Sequence, residues 1–294
     1  MRPMRHLLLS AILLAGCVSE DVEWEPGTDG PRPEESPDFV ILAASGHCLT
    51  NCPAFPRENL VSQGTAERIG DLLNSYGWSV AIFQYADAFY NHLANGQAVL
   101  PYSEEAPVQF GFLQMLADLQ DIRDLWIGEF QNPTGIVLLG HSHGVVWTHT
   151  LATLRSDVPI DFLIDLDGDS HGWADEGDEF VTGDGWGPII EQYTEAEGVI
   201  WDYPIEQATD AWQVSGLDEL QDIEDIVPGH VAWNLEVHGD SFTLRDQDPN
   251  HRFDGTDLGI IVGETNEEHD RLDDPGSQSM DWVLERMAEI IDGS

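Results

Sequence analysis

The order of apolar and amphipathic stretches predicts an α/β fold: a doubly wound, mostly parallel sheet with an irregular, cap-like excursion. Short, mostly apolar runs recur at 39–44, 78–83, 135–139, 160–165, 231–237 and 258–262, the first of them without a polar residue. Runs of that length without polar alternation suit strands buried on both faces. Between most of them lie longer stretches with apolar residues at helical spacing, at 64–76, 108–130, 144–155 and 277–291. Strands that alternate with helices form a parallel sheet, because a parallel pair needs a crossover long enough to hold a helix.

Each element has its own signal. The run 39–44 (Phe39 to Ala44) is followed by Ser45-Gly46-His47-Cys48, which does not fit the glycine-rich loop that cradles a dinucleotide. Ile69, Leu72 and Leu73 mark one face of the helix over 64–76. A loop rich in Asn, Gly and Pro follows the second strand. In the long helix over 108–130, Phe112, Leu113, Leu116, Leu119, Ile122 and Trp126 fall at helical spacing. Residues 171–228 break the rhythm: they are rich in acids, Gly and Trp, with helical fragments expected near 189–193 and 217–226. This segment is expected to cap the sheet edge, and Trp173, Trp186, Trp201 and Trp212 suit either pocket walls or ordinary core. The closing helix over 277–291 presents Met280, Val283, Leu284, Met287, Ile290 and Ile291 to the core.

Charge sets limits on partners. The 294 residues include 55 Asp and Glu against 11 basic residues, all of them Arg, for a net charge of −44. Phosphate backbones need cations, so nucleic acid is excluded as a partner. Docking to anionic headgroups is disfavoured for the same reason. Excess acid of this kind makes solvated faces and suits a salt-rich medium, where screening relieves self-repulsion.

The N-terminus reads as an export signal over 1–17. Arg2, Arg5 and His6 precede a short apolar run, 7–14, too short to span a membrane. It ends in Leu14-Ala15-Gly16-Cys17, which resembles a bacterial lipobox. That resemblance implies lipidation of Cys17, and Val18 in place of Asp favours the outer membrane of the cell envelope. Residues 18–37 are acidic and rich in Pro, and are expected to form an extended tether. With Cys17 lipidated, Cys48 and Cys52 remain as a pair that an oxidising compartment would allow to close as a disulfide; two free thiols is the alternative.

The chemistry is announced by Gly140-His141-Ser142-His143-Gly144. An apolar strand leads into this G-x-S-x-G and an apolar helix leads out, which is the context the motif requires. A sharp strand-to-helix turn lifts the Ser hydroxyl above the sheet, and the flanking glycines let backbone pass close by. The turn also places the His143 N–H at a helix N-terminus, where it stabilises an oxyanion.

On these residues the domain 38–294 resembles the α/β-hydrolase superfamily in its serine esterase and lipase branch, although the first strands usual in that family are missing. The resemblance implies a Ser-acid-His triad in that chain order, with no metal or organic cofactor. Ser142 is then the nucleophile, and His269, which follows the last strand, the base. The third place falls to Asp240, after the strand before the last, with Asp167, after the strand that follows the elbow, as the alternative acid. The second oxyanion donor is expected from Gly46 and His47. The substrate is expected to be a small-molecule or lipid ester, handled by a monomer that meets the membrane through its lipid alone. An amidase or peptidase uses the same triad, and a binding lipoprotein on the same fold is a further reading. Two alternating acidic runs, from Asp165, Asp167 and Asp169 to Glu176 and from Asp246, Asp248 and Asn250 to Asp257, match a calcium-loop count. Both lack the glycine needed at the sixth place, having Ser170 and His251, so no metal site is assigned.

Overall fold

The computed structural model of the chain describes residues 30–46, 59–86, 89–91, 110–128, 130–168, 212–240 and 249–293. Its centre is a seven-stranded sheet in the order β3-β2-β1-β4-β5-β7-β9. The strands are β1 Phe39–Ala44, β2 Val80–Ala86, β3 Phe89–Asn91, β4 Gly135–His141, β5 Ile160–Leu166, β7 Val231–His238 and β9 Ile260–Glu264. All neighbours are parallel except β2 and β3, which run antiparallel at one edge. Two further short strands, β6 Ile226–Val227 and β8 His251–Arg252, pair with each other apart from the main sheet.

Helices α1 Thr65–Ser75, α2 Phe110–Ile122, α3 His143–Leu154 and α4 Gln278–Gly293 cover the two faces. The apolar runs read as both-face strands because they are: Val40, Leu42 and Ala44 join one core with α2 and α3, while Ile41 and Ala43 join the other with α1 and α4. Helix α3 is buried on every side from His143 to Ala152. That is why it carries no polar stripe, as expected of a helix surrounded by protein.

The structure departs from the sequence reading at element ends. The second strand starts at Val80 and not at Trp78, because the Trp78 N–H still donates to the Leu73 carbonyl at the end of α1. The long second helix continues past Ile122 only as a π-helical turn, Arg123–Ile127, closed by Gly128. In place of a helix over 217–226 there is a 3-10 turn, Ile223–Asp225, where Asp222 and Asp225 cap each other's backbone before the chain extends into β6. Residues 30–37 of the expected tether pack on the domain, with the Arg32 side chain bonded to Asp38 and to the carbonyls of Asn132 and Pro133. The export signal, Cys17, residues 18–29, the His47-Cys48-Cys52 loop and most of the excursion lie outside the described residues. Among the described residues no helix is long and apolar enough to cross a membrane.

Candidate active site

The elbow joins β4 to α3 at the carboxyl end of the central strands. Ser142 has φ 54° and ψ −130°, a conformation that side chains with a Cβ rarely adopt. Its N–H donates to the Leu166 carbonyl at 3.1 Å, fixing the turn to the end of β5. Packing explains the glycines. A Cβ on Gly140 would sit 2.7 Å from the Val145 Cα, and one on Gly144 would strike the Ala44 carbonyl. Gly46, after β1, is held just as tightly: its Cβ would lie 2.5 Å from the Ser142 Cβ and 3.1 Å from Oγ. Thus the Gly46 backbone lies against the Ser142 hydroxyl, where the second oxyanion donor was expected. His143 opens α3 and is buried, its ring edge-on to Trp147.

His269 stands in a 3-10 turn, His269–Arg271, that follows β9. Its Nδ1 lies 2.5 Å from Asp167 Oδ2, and the other carboxylate oxygen of Asp167 accepts the Gly239 N–H at 2.9 Å. A carboxylate accepts only, so Nδ1 carries the proton and Nε2 is left as the basic nitrogen. Asp167 has φ 52°; among the described residues it and Ser142 are the non-glycine residues with positive φ. Conformations of this kind cost about 1–3 kcal/mol each and persist only where surrounding structure enforces them.

Of the two acids weighed from sequence, Asp167 therefore meets His269. Asp240 does not: its side chain is exposed, and what it gives the neighbourhood is its N–H, donated to the Glu267 carbonyl at 2.7 Å. Glu267 in turn accepts from the N–H groups of Gln278 and Ser279 at the start of α4. The loop that carries His269 is thereby fastened at both ends.

His141, the residue before Ser142, is a contact that sequence reading left without a role. Its ring lies 4.8 Å from that of His269, and its Nε2–H donates to the His269 carbonyl at 2.9 Å. Its Nδ1 faces Asp273 Oδ2 at 3.6 Å. Asp273 is 1% exposed, and burial pushes its carboxyl above the usual range, with His141 acting in the opposite direction. Ser142, His269 and Asp167 thus share one locale: Ser142 follows the histidine that holds His269, and is bonded to the residue before Asp167.

Beside this site, on the α3 side of β5 and β7, lies a buried polar cluster. Asp165 Oδ2 accepts from the amides of Asn234 and Asn250 and faces His149 Nε2 at 3.0 Å. His238 Nε2 lies 2.8 Å from Glu236, and although burial opposes its charge, Glu236 with Asp167 and Glu264 raises its pKa. The acids of the first calcium-like count are accordingly divided: Asp165 faces this cluster and Asp167 faces His269. Among the described residues no group of three His, Cys, Asp or Glu side chains is arranged to hold a metal ion.

No protein-family model matches the chain, and no curated protein matches it in sequence. Solved structures resemble it distantly. An esterase of Pyrococcus furiosus is 12% identical over 87% of this chain and 80% of its own, with a TM-score of 0.44. Est1E of Butyrivibrio proteoclasticus, solved with ferulic acid bound, is 16% identical over 88% of this chain and 91% of its own, with a TM-score of 0.42. A thioesterase domain of the nocardicin cluster is 12% identical over 85% and 93%, with a TM-score of 0.37. The strand order and the elbow at the carboxyl edge of the sheet give this chain the α/β-hydrolase architecture.

Proposed function

We propose that the protein is a serine hydrolase of carboxylic esters, working through an acyl-enzyme. Three observations support the reading: the strained Ser142 elbow, the bond from the adjacent His141 to the His269 carbonyl, and the His269 Nδ1 held by Asp167. Serine is a weak nucleophile until a base takes its proton. In the proposed reaction, His269 Nε2 accepts the Ser142 Oγ proton as Oγ attacks the ester carbonyl. Asp167 holds the imidazole in the required tautomer and stabilises the imidazolium that forms. The oxyanion is received by the His143 N–H and by N–H groups of the Gly46-His47 segment. His269 then gives its proton to the departing alcohol, and a water activated by the same nitrogen releases the acid.

The decisive test is a fluorophosphonate probe together with short nitrophenyl esters. Ser142→Ala is expected to abolish labelling and to lower kcat by about 10⁴-fold or more. Labelling that persists in Ser142→Ala overturns the assignment.

The address belongs to the same proposal. Leu14-Ala15-Gly16-Cys17 supports export and lipid attachment at Cys17, which would hold the enzyme on the cell envelope while it works on small or lipid esters. Partition of the full chain into a detergent phase, lost in Cys17→Ala, is the expected outcome; partition unchanged by that substitution sinks the anchor.

A further inference from the structure

The base of a triad must be held in position as well as in tautomer. Asp167 fixes the Nδ1 side of the His269 ring, but a ring also moves with its own backbone. The His269 carbonyl opens a turn whose internal bond runs from the Arg271 N–H to the Glu268 carbonyl, so that bond leaves the His269 carbonyl to find another donor. It finds His141 Nε2–H, on the residue directly before the nucleophile. We propose that His141 is a positioning residue, which sets the reach of His269 toward Ser142 by holding the His269 backbone carbonyl. The inference rests on the reading of Ser142 and His269 as nucleophile and base.

Three features make this contact rigid. His141 ends β4, in register with Leu166 of β5, so it moves with the sheet. The ring is 6% exposed, and a carbonyl can only accept, so Nε2 must carry a proton. Behind it, Asp273 is anchored to the start of α1: its carboxylate accepts from the Asn59 amide and its carbonyl from the Thr65 hydroxyl. Nucleophile and base are therefore tied through one imidazole, from strand to turn, with no loop between them. A lapse of about 1 Å in such alignment is worth roughly 100-fold in rate.

The test compares two amides of equal polarity. In His141→Gln the amide N–H extends far enough to donate to the His269 carbonyl; in His141→Asn it is one methylene short. With nitrophenyl butyrate, His141→Asn is expected to lose about 30- to 100-fold in kcat with KM changed by less than about twofold, and His141→Gln to recover most of the loss. Unfolding midpoints of the two variants are measured alongside. Equal kcat in the two variants overturns the proposal, as does a loss confined to KM. Failure of the underlying reading looks different: the wild-type enzyme would then escape fluorophosphonate labelling at Ser142.

Discussion

Two imidazole–carboxylate pairs sit at the end of β5, built on acids two residues apart, and they have opposite characters. His269 and Asp167 approach to 2.5 Å with side-chain exposures of 17% and 5%; His149 and Asp165 approach to 3.0 Å with 0% and 2%. In the first pair the carboxylate engages Nδ1, and Nε2 is the nitrogen that the proposed reaction uses. In the second, His149 Nδ1 meets the Ile226 carbonyl and Nε2 faces Asp165 at 3.0 Å, so each nitrogen faces an oxygen and the surroundings favour the charged ring. Burial opposes that charge, but Asp165, the Ile226 carbonyl and Glu236 together raise the His149 pKa. A histidine beside an aspartate is therefore not a catalytic signal in itself. What the second ring nitrogen faces separates a base from a structural cation.

Substitutions break the two pairs in different currencies. The largest effect is expected from Asp167→Asn, with kcat down about 10³- to 10⁴-fold, because the asparagine amide enforces the wrong tautomer. Asp240→Asn is the matched control, and steady-state kinetics of the two variants decide between the acids. Next comes His149→Leu, which leaves Asp165 without its cation. Urea unfolding is expected to show a loss of about 3–5 kcal/mol, with kcat per folded molecule nearly unchanged.

That loss should depend on pH in a defined direction. A group whose folded pKa is raised contributes fully below its ordinary value, about 6.5 for His, and loses the contribution as pH rises through the folded value. Wild type and His149→Leu should thus differ most in acid and converge in alkali, which unfolding midpoints between pH 5 and pH 9 will read. The smallest effect is expected from Gly46→Ala. Its new Cβ presses on Ser142, lowering kcat by about 10-fold with modest change in stability.

The fold was legible where burial is symmetrical. β1 and residues 135–140 of β4 are apolar because both faces are covered, and that pattern survives in sequence. β3, β6 and β8 have two or three residues each, too few to show a period. Ser142 was legible because its neighbours in the chain build its turn. The place of His269 after the last strand was legible from chain order alone. The acid was not: among 55 acidic residues, the choice rests on a backbone angle at Asp167 and on the N–H of Gly239, seventy-two positions away. The place of His141 beside the His269 carbonyl has no sequence signature either, since the motif leaves that position open.

The two positive φ angles carry a consequence for how this protein changes under selection. Ser142 and Asp167 hold shapes that glycine adopts without strain. A lineage chosen only for heat tolerance would gain by giving up the Ser142 side chain, whereas Asp167 also satisfies the Gly239 N–H and His269 and has a structural reason to stay. Persistence of serine at position 142 among natural variants would then be a fossil record of use, readable without any assay.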